Sequence, residues 1–360
     1  AMSDVCRDDS GEKFAERPGL VYYWARRNFQ TPEDRAIGFA YSFLGVRIQC
    51  AQCHKHPFDQ WSKADFDRFE KLFSGVQARQ NTLSSDAKPE YNRLVSQLGV
   101  DKKLKGNQLR RELGSMLKDG KVVPLPELVI SEPRVPRNRK PNKSQPVAAQ
   151  RAKLLGGDWI ELNESDIREP LMQWLVSKEN PYFTKAIVNR VWAQYFGVGI
   201  VDPPDDLNLA NAPSNGPLLD YLANGFRQSG FDLKWLHRQI LRSDAYQRSW
   251  EPNETNALDK HNFSRSLLRR LPAEATYDAL RMALARDDLA ERSRELELPR
   301  AITKPGANAR NNRQDDESYA LAVFGRSIRE SNCDCDRSSE PSLLQTVFMA
   351  NDSAVQKWLR

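Results

Sequence analysis

The stretch IQCAQCHKHPFDQW, residues 48–61, combines residue types and spacing that can do chemistry. Cys50 and Cys53 place two thiols three positions apart, and His54 follows the second. Two sulfurs at this spacing reach the two vinyl groups of one porphyrin. The adjoining imidazole then binds its iron on the same side, which is the pattern on which haem c is attached. The chain of 360 residues holds five cysteines and four histidines, so three of them meeting within residues 50–54 is not a coincidence that chance readily produces. His54 would be the proximal ligand. His56, two residues on, is badly placed for the opposite face and suits a hydrogen bond to a propionate or the backbone. The residue types that ligate iron at the sixth position nominate His237, His261, Met172, Met282 and Met349.

Two other chemistries use the same residues. Zinc takes four ligands in a tetrahedral shell, and Cys50 and Cys53 could be completed by Cys333 and Cys335 of NCDCDR, or by His56. A bare Cys-x-x-Cys pair could act as a redox dithiol, although the alternating strands and helices that usually carry one are missing here. Cys6 is a fifth thiol, and a disulfide in an oxidising compartment is the simplest fate for Cys333 and Cys335.

The elements that must position these residues read as mainly α, two helical modules with little β. TPEDRAIGFAYSFLGVRIQC (31–50) opens with Thr31 as N-cap and Pro32 in the first turn, which predicts a helix with the cysteine motif at its end. SKAD at Ser62 predicts the next N-terminus. Residues 90–119 read as helix interrupted near Gly99 and Gly106, and 127–131 as one strand. NPYFTKAIVNRVWAQYFG (180–197) reads as a helix capped by Asn180 and stopped by Gly197. Further helices are expected at 217–228, 232–243, 272–286 and 341–358, with a polar loop at 286–318. The division is therefore 1–119 with the motif, a Pro-rich basic linker at 120–157, and a second helical module at 158–360.

Composition bounds the rest. Hydrophobic residues at 39% and charged residues at 28% describe a globular chain with no run long enough to span a membrane. The opening AMSDVCRDDS has neither the basic start nor the apolar stretch of a signal peptide. Net charge is +6, and RVPRNRKPNKSQPVAAQRAK (134–153) supplies seven Lys or Arg without an acid. That stretch could attract an anionic polysaccharide or an acidic partner, but it lacks the aromatics that stack on bases, so nucleic acid is not expected. VDPPDDLN clusters Asp202, Asp205 and Asp206, and reads as a solvated turn because the spacing and glycine of a calcium loop are missing. The two glycines of GVGIV make no dinucleotide loop, and the Gly-x-Ser-x-Gly and His-Glu-x-x-His hydrolase signatures are absent. Trp174, Trp192 and Trp235 sit on apolar helix faces and read as core.

FLGVRIQCAQCHKHPFDQWSKADFDRFEKLFSGV (43–76) resembles the second planctomycete cytochrome-c-like domain. NPYFTKAIVNRVWAQYFGVGIVDPPDDLN, LLDYLANGF, FDLKWLHRQILRSDAYQRS, RRLPAEATYDALRMA and CDCDRSSEPSLLQTVFMAND resemble the planctomycete-specific domain that usually follows it. Both are domains of unknown function. The resemblance implies export to the periplasm or cell surface and a covalent haem c at Cys50, Cys53 and His54. It also implies frequent companionship with carbohydrate-related modules. The expectation is an exported c-type cytochrome that passes electrons to a redox partner protein or acts on a small or carbohydrate substrate. The alternative is a non-catalytic exported module, held by zinc or disulfides at the cysteine motifs, that binds partners or anionic polysaccharide through its basic linker.

Overall fold

The structure is a computed structural model that describes residue 29 and residues 31–78, 83, 85, 87–101, 103–118, 121–125, 128–130, 151–162, 168–284, 300–303, 316–326 and 341–358. Among these residues the chain is mainly helical, with two small antiparallel two-stranded sheets. It forms two compact units: Ala1–Arg93 with Leu125–Leu267, and Leu94–Pro124 with Leu268–Arg360.

In the first unit, α1 (Pro32–Phe39) begins as its sequence dictates. Thr31 Oγ1 accepts the Asp34 amide at 3.2 Å and Asp34 returns the bond to the Thr31 amide at 2.9 Å, a reciprocal box that satisfies two orphan N–H groups. The helix widens to a π turn at Ala40–Leu44 and stops at Gly45, whose φ is +65°. The helix expected over 31–50 is therefore shorter. A Cβ at position 45 would lie 3.0 Å from Ala186 Cβ and 3.2 Å from Leu207 Cδ1, so tertiary packing as well as backbone conformation demands glycine there. The motif does not end this helix but follows on a 3₁₀ turn of its own, Gln49–Gln52.

α2 (Lys63–Glu70) has the second capping box, built by Ser62 and Asp65, and runs into a 3₁₀ turn at Lys71–Phe73. β1 (Val76–Ala78) pairs with β2 (Leu128–Ile130), the strand expected at 127–131. α3 (Ala87–Gln97) ends before Gly99 and α4 (Gly106–Lys118) starts at Gly106; the boundary between the units falls inside α3, and α4 belongs to the second unit. β3 (Arg151–Lys153) and β4 (Trp159–Glu161) form a hairpin that nothing in the sequence pattern announced, being only three residues each. α5 (Arg168–Val176), α6 (Phe183–Phe196), α7 (Gly216–Gln228), α8 (Leu233–Leu241) and α9 (Asp244–Gln247) complete the unit. Asn180 serves α6 from two residues outside its N-cap Tyr182, its Oδ1 accepting the Tyr182 and Phe183 amides at 2.9 Å each. Gly197 stops the helix in the left-handed conformation, as expected.

Two apolar clusters fill this unit. One joins Phe39, Leu44, Ile48, Phe69 and Phe73 of the first hundred residues to Leu154, Leu155, Leu171 and Trp174. The other gathers α6, α7 and α8 around Trp192 and Phe226, with Trp192 stacked on Phe196 at 4.1 Å between centroids and Trp235 packed at its edge. Each such fully buried side chain contributes about 1.5–3 kcal/mol. The second unit holds α10 (Ala273–Leu284), α11 (Asp316–Val323), α12 (Leu343–Asn351) and α13 (Ser353–Trp358) around a smaller cluster that includes Ala320, Leu321 and Phe348. The single helix expected at 341–358 breaks at Asp352. Most of the polar stretch 286–318 lies outside the described residues.

A polar clasp joins the two halves of the first unit. Arg190 of α6 donates to the Tyr41 and Ser42 carbonyls of the π turn, at 2.6 and 2.5 Å. Its Nε pairs with Asp205 at 2.5 Å. Asp205 is buried, which departs from the solvated turn its composition suggested, while Asp202 is exposed and Asp206 half-buried. Asn189, also fully buried, accepts the Val201 amide and donates to the Val201 and Pro204 carbonyls, pinning the same loop.

Removing the partly buried Arg190 strands the buried Asp205 carboxylate, so Arg190→Met should destabilise the first unit by about 1–3 kcal/mol, read by chemical denaturation. A second expectation concerns the Asp65 cap. Burial pushes its carboxyl up, but hydrogen bonds from the Ser62 hydroxyl and amide, with Lys153 and Arg68 nearby, hold it below the usual carboxylate range. A depressed carboxyl contributes stability above its unfolded pKa and loses it as pH falls through the folded one. Asp65→Asn should thus cost about 0.5–2 kcal/mol at neutral pH, with the gap from the wild type closing in acid.

Candidate functional site

The 3₁₀ turn explains how the motif is displayed. With three residues per turn, positions i and i+3 eclipse. Ile48 and Ala51 share the inward side and are buried in the first cluster, with the Ala51 amide donating to the Ile48 carbonyl at 3.0 Å. Cys50 and Cys53 share the outward side, both exposed and both free thiols. The Cys50 carbonyl accepts the amides of Cys53 at 3.4 Å and His54 at 3.3 Å, which tightens the turn beneath them.

The two histidines of CHKHP have opposite roles. His54 is exposed, and its Nδ1 lies 2.7 Å from the Lys55 carbonyl oxygen. A carbonyl only accepts, so Nδ1 carries the proton and Nε2 keeps its lone pair for a ligand. His56 is 6% exposed, and its Nδ1 accepts the Phe58 amide at 3.2 Å, which places the ring proton on Nε2. The His56 amide donates to the Trp61 carbonyl at 2.8 Å, closing the turn HPFDQW on itself. Asp59 Oδ1 accepts the Gln60 amide at 2.7 Å inside the same turn, and Phe58 stands out at 63% exposed. His56 is thus a fixture of the scaffold, and His54 is presented.

This donor set fits haem c in kind. Two accessible thiols share one face of a single turn, and the adjacent imidazole has Nδ1 engaged by a backbone carbonyl, the arrangement that orients a ligating histidine and raises its basicity. The nominees for a sixth ligand each have their own packing. His237 shares a 2.7 Å hydrogen bond with Tyr195 through Nδ1, His261 is exposed in a loop beside Asp259, and Met172 packs against the first cluster. Met282 and Met349 belong to the second unit and are 40% and 38% exposed. For zinc, no three His, Cys, Asp or Glu side chains converge among the described residues. Cys6, Cys333 and Cys335 lie outside them, as does most of the basic stretch 134–153. No described helix is long and apolar enough to cross a membrane.

What the fold and site define is a mainly helical protein that displays a Cys-x-x-Cys-His turn on a rigid base. Its relatives are defined by sequence. The family described as PSD1, protein of unknown function (DUF1553), matches residues 167–360, more than half of the chain. Ahead of it, residues 22–78 of this chain, the span that includes Cys50, Cys53 and His54, match PSCyt2, protein of unknown function (DUF1549). The chain belongs to the PSD1 family. No curated protein and no solved structure matches it.

The contrast between the two histidines gives a direct test. His56→Ala should lower the stability of cofactor-free protein by about 1–3 kcal/mol, because it strands the Phe58 amide and opens a buried site. His54→Ala should leave the melting temperature close to that of the wild type.

Proposed function

We propose that the chain is an exported c-type haem protein that transfers electrons to a partner protein or to a small or carbohydrate substrate. The observation that carries this reading is the outward face of one 3₁₀ turn, which presents the Cys50 and Cys53 thiols beside a His54 ring whose Nε2 has the lone pair. Sγ of Cys50 and Sγ of Cys53 would hold the group by thioethers, and His54 Nε2 would bind its iron. Haem c supplies a one-electron iron couple whose potential follows the sixth ligand and the polarity around it.

The remaining residues have supporting tasks. The Lys55 carbonyl holds the His54 ring by its Nδ1–H and fixes which nitrogen faces outward. Ile48 and Ala51 anchor the turn in the core, so the spacing of the two sulfurs is set by packed side chains rather than by a floppy loop. Phe58 offers exposed apolar surface in the same segment. Export follows from the covalent chemistry, since thioether attachment to this motif is made outside the cytoplasm, in the periplasm or at the cell surface.

Co-expression with haem-attachment machinery, followed by mass measurement of denatured protein, should show one covalently held haem per chain. Cys53→Ser should leave at most one thioether and lose most of the haem on denaturation. A colourless wild-type protein from such a host, with both thiols still titratable, would overturn the reading.

A further inference from the structure

A phenol and an imidazole meet between α6 and α8 of the first unit. Tyr195 Oη lies 2.7 Å from His237 Nδ1, with ring centroids 5.6 Å apart and ring planes at 74°. A neutral phenol is a stronger acid than a neutral imidazole N–H, and the free ring nitrogen is a stronger base than the phenol oxygen. Tyr195 therefore donates, His237 Nδ1 accepts, and the imidazole proton sits on Nε2. His54 and His56 spend Nδ1 on main-chain groups, whereas His237 spends it on a second side chain that can lose a proton.

The pair is fixed on one side and open on the other. The Tyr195 ring packs against the Trp192 cluster and meets the Tyr246 ring edge-on at 5.5 Å. Apolar packing beside a hydrogen bond strengthens it and holds its geometry. Tyr195 and His237 are both half-buried, and Tyr246 is 39% exposed, so the pair lies at the edge of the fold rather than deep within it. Among the described residues neither partner makes another side-chain hydrogen bond, so the phenol proton has one side-chain base to go to.

That base decides what oxidation costs. Removing an electron alone leaves a phenol radical cation, a strong acid and a species of high energy. With Nδ1 2.7 Å away, the O–H bond breaks as the electron leaves: the electron goes to the oxidant and the proton to the Nδ1 lone pair. The products are a neutral phenoxyl radical and an imidazolium, still joined by the same hydrogen bond, and returning one electron returns the proton. We infer that Tyr195 is a redox-active tyrosine with His237 as its proton acceptor, oxidised by an outer-sphere one-electron acceptor such as a high-potential metal centre. The pair needs neither a thioether nor iron in this chain, and it stands apart from the haem reading.

The test is laser flash oxidation of the full chain, purified from a cytoplasm without haem-attachment machinery and with its thiols alkylated, by photogenerated tris(bipyridine)ruthenium(III). A fast tyrosyl phase is expected, at least about tenfold faster than the slow phase from exposed phenols such as Tyr221, which is 61% exposed and must give its proton to water. Tyr195→Phe should remove the fast phase. His237→Gln keeps an acceptor for the phenol but no base of comparable strength, and should slow that phase by at least about tenfold with the melting temperature little changed. In frozen samples, electron paramagnetic resonance of the wild type should show a tyrosyl radical with a hydrogen-bonded oxygen. No fast phase in the wild type, a fast phase that persists in Tyr195→Phe, or a rate unchanged in His237→Gln would each overturn the proposal.

Discussion

The grip of Arg190 on residues 41, 42 and 205 is the constraint on which the rest depends. Here a guanidinium from a helix far along the chain donates to two main-chain carbonyls of the π turn. The planar fork suits this work, because it can serve two carbonyls and one carboxylate at once while keeping its charge. Leu207 adds a main-chain bond from its amide to the Gly45 carbonyl at 2.9 Å, in the same place. Together they fix where the chain leaves α1, and hence where the following 3₁₀ turn can put its cysteines.

The same contacts make the two family matches physically inseparable over much of their length. Residues 22–78 do not close a core by themselves in this structure. Their apolar residues are covered by Leu154 and Leu155 of the hairpin and by Leu171, Trp174 and Leu175 of α5, and the compact unit runs on to Leu267. A boundary drawn by sequence similarity thus passes through one packed body. The motif depends on residues more than a hundred positions away for the rigidity that holds its two sulfurs on one face.

What could be read from the sequence was the local part. Thr31, Ser62, Asp232 and Ser342 cap their helices with bonds to residues two or three positions on, so a short window contains the whole cause. Gly197 and the breaks near Gly99 and Gly106 were legible for the same reason. The early end of α1 was not, because the packing that requires glycine at position 45 comes from Ala186 and Leu207. The strands at Arg151–Lys153 and Trp159–Glu161 are too short to show a period. Asp205 looked like a solvent-facing residue in an acidic run, and only its meeting with Arg190 makes it internal. At the site, the sequence nominated Cys50, Cys53 and His54 together, but it could not tell His54 from His56. That difference lies in whether a carbonyl or an amide faces Nδ1, which is a property of the folded main chain.

Trp61 is where the displayed turn meets a small cavity walled also by Gln60, Asp65, Lys153 and Gly156. Its carbonyl accepts the His56 amide and so closes the loop behind the motif, while its indole forms a wall of the cavity and its edge meets the Tyr182 ring. Burial of the Tyr182 phenol, with Asp59 nearby, pushes its pKa up to about 12, so the ring beside Trp61 stays neutral across the physiological range. The next residue, Ser62, begins α2 by its capping box. Main-chain and side-chain demands on residues 56–65 are therefore met by different partners, and this is why the segment can be rigid without being filled. The backbone bonds set the turn, and the aromatic packing sets the wall.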